Sequence, residues 1–287
     1  MRVIYIAGNG RSGSTLLDMM LGSGEHNFSA GELTFITREG ISQEYCSCGA
    51  TIGECWVWRK VMELWSSSLS ISSARYQILR KRYERNKSLP KLIFNIVWPG
   101  KDFLTYCAAT QSLFEAIQNV TKARVIIDSS KSASRILILR RFSDLTVIHL
   151  CRNFTGVMNS VNKFSPKNIE EGIEEDIHIT PPWRALINWI LNNFLVSILS
   201  VGIRRHRIHY GQMVRNTNDV ISTLGDEFQV PTEGGFSADH MLAGNVVRLR
   251  KNVAVDSGVG FRYANLSNRQ LLFGELIDTI FWYWARK

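Results

Sequence analysis

The residues best suited to binding an anion lie in a glycine-rich segment near the start of the sequence. Residues 8–15 read Gly-Asn-Gly-Arg-Ser-Gly-Ser-Thr and follow a short apolar run. Glycines allow a tight turn in which successive backbone N–H groups converge on one anion, and a helix that begins behind the turn adds partial positive charge. The segment predicts a phosphate-binding loop whose groups come from Arg11, Ser12, Gly13, Ser14 and Thr15.

The loop departs from the loop of nucleoside triphosphatases at one position. Ser14 stands where those loops have the lysine that reaches the β- and γ-phosphates, and Arg11 is the cation of this loop. ATP hydrolysis is therefore less favoured. Asp128, at the end of another apolar run, could nevertheless hold magnesium. A P-loop-like kinase, or another nucleotide-dependent phosphotransferase, stays open as the alternative interpretation.

A second candidate anion site follows the apolar run at residues 145–150. Arg152 comes directly after this run and its neighbour Cys151, and Ser160 follows eight positions later on a predicted helix. A guanidinium at the end of a strand and a hydroxyl on the next helix can bind one phosphate from two sides. The spacing therefore predicts a second phosphate site.

The elements that must position these residues alternate between strands and helices. Apolar runs predict strands at residues 3–7, 125–128, 145–150 and, more weakly, 207–210. Helical patterns lie between them at residues 14–21, 133–142 and 183–203. This alternation predicts an α/β fold, a three-layer sandwich with a central, mostly parallel sheet. Ligands bind at the carboxyl ends of the strands in such sheets, where the two candidate sites fall.

The composition and net charge of the chain indicate which kind of ligand it binds and in which compartment we expect it. The chain has 34 Lys and Arg against 25 Asp and Glu, and this net charge of +9 suits an anionic ligand. Five cysteines do not form a disulfide framework in a chain of 287 residues, and residues 2–10 do not read as a secretory signal. We therefore expect a cytoplasmic protein. No feature of the sequence indicates an oligomeric state.

Two segments could be misread, one as a membrane span and the other as a nucleic-acid-binding site. Residues 185–203 carry no formal charge, but three asparagines among them favour a buried core helix over a membrane span. Residues 74–87 are rich in Lys and Arg, which is more typical of a solvated helix face than of a nucleic-acid site. We therefore expect neither a membrane span nor a nucleic-acid partner, although a basic nucleic-acid-binding protein stays open as a third interpretation.

Both candidate anion sites resemble motifs of one enzyme family. Residues 11–17, Arg-Ser-Gly-Ser-Thr-Leu-Leu, are similar to the 5′-phosphosulfate loop of sulfotransferases that use 3′-phosphoadenosine 5′-phosphosulfate (PAPS). Arg152 and Ser160 are similar to the pair that binds the 3′-phosphate in that family. The resemblance implies a P-loop NTPase-like sulfotransferase fold and transfer of a sulfuryl group from PAPS to a hydroxyl or an amine. It further implies 3′,5′-adenosine bisphosphate (PAP) as the product, and no metal requirement.

The resemblance extends to further segments. Residues 128–131, Asp-Ser-Ser-Lys, are similar to a strand-end motif of bacterial members, and the spacing of His240, Gly244, Asn245 and Arg248 is similar to their C-terminal loop over the nucleotide. Residues 210–214 retain the family's tyrosine but lack its acidic pair, and Asn252 replaces the glycine of an Arg-Lys-Gly contact. Beyond the loop and the Arg152–Ser160 pair, the resemblance thus implies these cofactor-binding residues: Tyr210, Arg248, Arg250 and Lys251.

Three residues are the candidates for catalysis. Arg11 would stabilise the charge on the sulfonyl and leaving oxygens, with Lys131 assisting. Glu32 would take the proton from the acceptor, because its position is similar to that of the acidic residue after the first helix in related sulfotransferases. The rival bases that stay open are His26, His149, His178 and His240.

The acceptor is a small molecule whose identity the sequence leaves open. A natural product, including a cationic alkaloid, a saccharide, a glycolipid and a peptide all fit. Residues 170–176 contain five acidic side chains, which would favour a cationic acceptor if they border its pocket. We expect one domain over residues 1–287, in which an insert at about residues 33–123 contributes to the acceptor site.

Three cysteines within the insert could supply thiolates to zinc. They are Cys46, Cys48 and Cys55. A structural zinc site normally has four ligands, and no fourth cysteine or neighbouring histidine is evident along the sequence. The expectation is therefore no metal, and the alternatives of a zinc site and of a structural or redox-labile thiol cluster both stay open.

Overall fold

A five-stranded, wholly parallel sheet forms the centre of the computed structural model. The model describes every residue except 86–87, 143, 170, 172, 174–175, 230–235, 237, 251–252, 254–262 and 286–287. The strand order is β2-β3-β1-β4-β5, and every pairing is parallel. The strands are β1 (Arg2–Gly8), β2 (Asn27–Gly31), β3 (Val125–Lys131), β4 (Leu145–Cys151) and β5 (Arg204–His209).

Helices cover both faces of this sheet. In β1, Val3 and Tyr5 pack into one apolar cluster, whereas Ile4 and Ile6 pack into another on the opposite face. This alternation of buried side chains confirms the predicted three-layer α/β architecture. The helices are α1 (Ser14–Gly22), α2 (Trp56–Ser68), α3 (Ser73–Tyr83), α4 (Leu89–Val97), α5 (Lys101–Thr121), α6 (Ile136–Leu139), α7 (Phe154–Val161), α8 (Pro182–Leu199), α9 (Tyr210–Arg215), α10 (Thr217–Phe228), α11 (Asn268–Ile280) and α12 (Trp282–Ala285).

Three local expectations were wrong. Strand β2 (Asn27–Gly31) was missed, because its sequence Asn-Phe-Ser-Ala-Gly is short and has no apolar run. The helix expected at residues 133–142 is a 3-10 turn at Ala133–Arg135 followed by only one turn of α-helix. The last strand ends at His209, and Tyr210 begins α9 instead of closing the strand.

The insert after β2 enlarges the core on one face of the sheet. It contains helices α2 to α5, and α2 packs against α5. Trp65 of α2 contacts two of these helices: its indole N–H donates to the carbonyl of Ala109 in α5 at 2.9 Å, and its ring meets Tyr76 of α3 edge to face. Two exposed cations of the basic helix α3, Arg75 and Arg82, both pair with Asp102 in the first turn of α5.

The apolar segment at residues 185–203 forms most of α8, a helix that packs on the sheet. Asn193 is fully buried there. Its carbonyl oxygen lies 3.0 Å from His149 Nε2, and its amide donates to the carbonyl of Trp189. Within the described part of the chain, no helix has both the length and the hydropathy that crossing a bilayer requires.

A buried acid in the first helix, Asp18, should make the stability of the fold depend on pH. Both carboxylate oxygens of Asp18 accept from hydroxyls, of Ser29 at 2.5 Å and of Ser129 at 2.6 Å, yet burial raises the pKa of Asp18 to about 7. The folded state therefore holds a proton that the unfolded chain releases near pH 4, so the free energy of unfolding falls as pH rises from about 4 to about 7.

This effect is measured by urea unfolding of the wild-type protein and the Asp18→Asn variant. Between about pH 5 and about pH 8, we expect the wild-type protein to lose roughly 3 kcal/mol relative to the variant. Asp219→Asn, at an exposed position, is the control and should keep the wild-type pH dependence. Parallel pH curves for the wild-type and Asp18→Asn proteins would show that Asp18 is ionised in the fold.

Candidate active site

A cavity of about 680 Å³ lies at the carboxyl edge of the sheet. The strands β1, β3 and β4 end side by side there, with Ala7 paired to both Lys131 and His149. The loops that follow these strands therefore converge on one place. Residues lining the cavity include Gly10, Arg11, Gly13, Ser14, Thr15, Glu32, Arg38, Lys131, Arg152, Ser160, Tyr210, Gly244, Asn245, Val246 and Val247.

The glycine-rich loop links β1 to the start of α1 and has the conformation of an anion cradle. Arg11 and Gly13 have φ values of 67° and 89°, so the chain turns sharply before the helix begins at Ser14. The first N–H groups of α1 have no partners within the helix and point toward its N-terminal end. Ser12 Oγ is buried and has no hydrogen-bond partner among the described residues. The loop thus offers several unused donors to a bound anion.

The second predicted anion site borders the same cavity. The Arg152 guanidinium donates to the carbonyl of Arg11 at 2.7 Å and lies 4.3 Å from the centre of the Tyr210 ring. Burial lowers the pKa of Arg152. Such a desolvated cation gains strongly from an anionic partner. Ser160 lines the cavity from α7, so the two sites that the sequence predicted separately share one cavity.

An acid and a base meet at the ends of β2 and β3. Glu32 follows β2, Lys131 closes β3 with a φ of 69°, and their side chains form an ion pair of 2.5 Å. Glu32 is buried, with 9% of its surface exposed, and its backbone N–H donates to the carbonyl of Ala243 at 3.4 Å. Both side chains line the cavity together with Arg11, so the three predicted catalytic residues border the same cavity.

The C-terminal segment at residues 240–250 closes one side of the cavity. Thr15 Oγ1 accepts from the backbone N–H of Asn245 at 3.0 Å. The buried Arg248 guanidinium donates to the carbonyls of Gly244 at 2.6 Å and Tyr45 at 3.3 Å. Arg248 thus stabilises the segment through hydrogen bonds to its backbone and to the insert, and it is not among the described residues that line the cavity.

Of the two remaining predicted contacts of this region, the structure describes Arg250. Arg250 is exposed and is not among the described lining residues. Lys251 lies outside the described residues.

The structure separates the rival bases and the magnesium candidate from the cavity. None of His26, His149, His178 and His240 is among the described lining residues, and burial lowers the pKa of His149 to about 4. Asp128 is fully buried, where its carboxylate accepts from Arg135 Nε at 2.8 Å. These contacts leave Asp128 in the core beneath the site.

Sequence reasoning missed several residues of the cavity wall. Arg38 enters it from the insert, where its guanidinium is held 2.5 Å from Glu44. Val246, Val247, Ile173 and Ile177 are further lining residues, and all four are apolar. No motif marks these positions, because they come from connecting segments whose course depends on what they pack against.

Taken together, the parallel sheet, the glycine-rich loop between β1 and α1 and the surrounding cations define an α/β protein whose loop has the conformation of an anion-binding loop. A model of the sulfotransferase family matches residues 3–234. The chain therefore belongs to the sulfotransferase family.

Solved sulfotransferase domains are similar to this chain at low sequence identity. The sulfotransferase domain of the olefin synthase from Synechococcus PCC 7002 is 18% identical, with 97% of this chain and 94% of that chain covered and a TM-score of 0.47. The sulfotransferase domain from the curacin biosynthetic pathway is 21% identical, with 97% and 89% covered and a TM-score of 0.45. No functionally curated protein matches the sequence.

The loop conformation can be tested at Gly13. A Cβ atom there would lie 2.5 Å from Tyr210 Cδ2, and a φ of 89° is strained for any other residue. We expect Gly13→Ala to weaken PAP binding at least about tenfold in calorimetry and to lower the free energy of unfolding by about 1 kcal/mol or more. Gly100→Ala, at a φ of −74° with its nearest neighbour 3.4 Å away, is the control for ligand binding and should keep the wild-type affinity for PAP. Unchanged PAP affinity in Gly13→Ala would show that the loop does not bind this ligand.

Proposed function

We propose that this sulfotransferase transfers a sulfuryl group from PAPS to a hydroxyl or an amine of a small-molecule acceptor, releasing PAP. One observation carries the proposal. The loop at Arg11–Thr15 and the Arg152–Ser160 pair offer two separate anion sites around a single cavity, as a nucleotide with phosphates at both its 5′ and 3′ positions requires.

The residues present fit such a donor. The buried hydroxyl of Ser12, which has no partner among the described residues, and the N–H groups at the start of α1 suit the 5′-phosphosulfate. Arg152 and Ser160 suit the 3′-phosphate. The Tyr210 ring contacts the guanidinium of Arg152 and leaves Gly13 no room for a side chain, so it fixes the relation between the two sites.

The reaction needs charge stabilisation and a base. When bound, PAPS supplies the sulfuryl group, whose bond to the 5′-phosphate oxygen breaks as a new bond to the acceptor oxygen or nitrogen forms. Glu32 takes the proton from that acceptor atom, and Lys131 holds the carboxylate in place. Arg11 and Lys131 stabilise the negative charge on the sulfonyl and leaving oxygens. None of these steps requires a metal ion.

The cavity wall favours an acceptor with an apolar body. Val246, Val247, Ile173 and Ile177 are apolar residues that line the cavity, and Arg38 adds one cation from the insert. A small natural product fits this wall better than a free saccharide, because the sugar would leave the apolar side chains without a matching surface. Transfer of labelled sulfate across a panel of lipophilic alcohols, amines, saccharides and glycolipids would test this preference.

Two exposed acids, Glu171 and Asp176, lie in the same segment of the chain as Ile173 and Ile177. The exposed Asp176 lies next to Ile177 and accepts from the backbone N–H of Lys167 at 2.7 Å. If these acids border the acceptor, neutralising Glu171 and Asp176 should raise KM more for a cationic acceptor than for a neutral one. Equal changes in both KM values would remove the acids from acceptor recognition.

The alternative of a kinase has less support. It would require Asp128 as a magnesium ligand, whereas this carboxylate is buried and paired with Arg135. A nucleic-acid role for the basic helix α3 is also weakened, since Arg75 and Arg82 are paired with Asp102 and Arg80 donates to Thr34.

Calorimetry separates these three interpretations when PAP is titrated in magnesium-free buffer and ATP is titrated in the presence of magnesium. A sulfotransferase should bind PAP with a Kd of about 10 μM or lower and should transfer labelled sulfate from PAPS. ATP with magnesium should bind at least about tenfold more weakly, as should a short oligonucleotide at matched ionic strength. Tighter binding of ATP with magnesium than of PAP would favour the kinase, and tightest binding of the oligonucleotide would favour the nucleic-acid protein.

A further inference from the structure

Four potential metal ligands converge at a place separate from the cavity. The Sγ atoms of Cys46, Cys48 and Cys55 and a ring nitrogen of His240 all lie within 4.8 Å of one another. Cys55 Sγ is 3.3 Å from His240 Nδ1, and all three cysteines are free thiols. None of the four is among the described residues that line the cavity.

The local structure presents the thiols from one turn and one helix end. Cys46 and Cys48 lie in a tight turn, in which the N–H of Cys46 donates to the carbonyl of Ala50 and that of Gly49 donates to the carbonyl of Cys46, both at 2.9 Å. Gly49 has a φ of 90°, which lets the chain reverse between these bonds. Cys55 directly precedes α2, where the partial positive charge of a helix N-terminus favours a thiolate.

The fourth ligand is held by the same helix. The indole N–H of Trp58 donates to the carbonyl of His240 at 2.7 Å, and the Trp56 ring meets the imidazole edge to face at 5.6 Å. His240 is thus fixed beside Cys55 although 185 positions separate them in the chain. Because of this separation along the sequence, the cysteine spacing gave no indication that His240 is the fourth ligand.

We propose that Cys46, Cys48, Cys55 and His240 form a structural zinc site. Three thiolates and one imidazole are a donor set that Zn²⁺ prefers, in tetrahedral geometry. With ordinary zinc–ligand bonds, the ligand atoms of such a site lie about 3.5–3.8 Å apart. The observed cluster needs only small side-chain movements to reach these distances. Four protein ligands leave no open coordination position, so this zinc is structural and takes no part in the reaction.

The zinc would tie the insert to the segment that closes the active-site cavity. Ser47, between two of the ligands, bonds twice to the residue after His240: the N–H of Met241 donates to Ser47 Oγ at 2.7 Å, and the N–H of Ser47 donates to the carbonyl of Met241 at 3.3 Å. The same segment continues to Asn245, which bonds to Thr15 of the phosphate loop. A metal at its start would hold this segment in register along the end of β2.

The first test is the zinc content of the full-length protein, purified without chelators and without added zinc. Elemental analysis by mass spectrometry should find about one zinc per chain in the wild-type protein. Cys46→Ser, Cys48→Ser and His240→Ala should each lower it at least about fivefold. The matched controls are Cys107→Ser and Cys151→Ser, which replace buried cysteines outside the cluster and should retain the full content.

A second measurement uses the wild-type protein alone and does not depend on whether the variants fold. Removing the metal with a chelator should expose the three cluster thiols to a thiol reagent and lower Tm by at least about 5 °C. Adding Zn²⁺ should reverse both changes. Co²⁺ in its place should give the intense charge-transfer and visible bands of a tetrahedral thiolate site, and these bands should weaken in His240→Ala.

Three results would overturn the proposal. One is wild-type protein that contains no stoichiometric zinc and gains no thermal stability from added Zn²⁺. Another is a disulfide between two of the cluster cysteines in protein isolated under reducing conditions, found by peptide mapping. The third is zinc that all three cluster variants retain, which would be adventitious. Since these readouts do not involve PAPS or an acceptor, they are independent of the proposed sulfuryl transfer.

Discussion

Glu32→Gln should lower turnover with PAPS at least about a hundredfold and leave the affinity for PAP within a factor of about two. The amide oxygen can still accept from Lys131, which lies 2.5 Å from the native carboxylate, so the shape of the wall is retained. The amide cannot take a proton, however, and the acceptor hydroxyl or amine then has no base. The measurement pairs the initial rate of sulfate transfer with calorimetry of PAP.

The control for this substitution is Glu63→Gln, which changes an exposed glutamate paired with Lys60 and should leave both quantities unchanged. A near wild-type rate in Glu32→Gln would remove this residue from proton transfer. A loss of PAP affinity as large as the loss of rate would instead assign Glu32 to the structure of the site. A rate deficit that shrinks as pH rises would support the role of Glu32 as the base. At high pH the acceptor loses its proton to the solvent, so the missing carboxylate matters less.

The second large effect is expected from Arg152→Ala, which should weaken PAP binding at least about a hundredfold. A desolvated guanidinium makes strong charge-assisted hydrogen bonds to a phosphate, and truncating it leaves that phosphate without its counter-charge in a partly buried place. Ser160→Ala should cost about tenfold, because it removes one neutral donor. Arg140→Ala, on the exposed surface at the end of α6, is the control and should retain wild-type affinity.

Comparing PAP with 5′-AMP, which lacks the 3′-phosphate, assigns this effect to one end of the ligand. The wild-type protein should prefer PAP at least about a hundredfold, and Arg152→Ala should lose most of that preference while its affinity for 5′-AMP changes little. If both ligands weaken equally, Arg152 acts through its hydrogen bond to the Arg11 carbonyl and shapes the loop instead. That outcome would leave the 3′-phosphate without its proposed partner.

A feature of this site is predictable from the sequence when the residues that form it are close together along the chain. The loop at Arg11–Thr15 was recognisable because its glycines, hydroxyls and following helix lie within one short segment. Arg152 and Ser160 were recognisable because a strand end and the next helix fix their separation. Strand β2 was not, since its short sequence contains small and polar residues and it forms only by pairing with β3.

The sequence by itself determined the α/β class and the resemblance to sulfotransferases, and it predicted the glycine-rich loop and the Arg152–Ser160 pair as anion sites, because each of these is encoded by neighbouring residues. The tertiary structure alone decided which distant residues meet. It paired Glu32 with Lys131 across 99 positions, brought Arg38 into the cavity wall, withdrew Asp128 into the core and placed His240 beside three cysteines. The physical reason is that chain spacing constrains atoms only over a few residues, whereas contacts between distant segments depend on how whole helices and strands pack to bury their apolar faces.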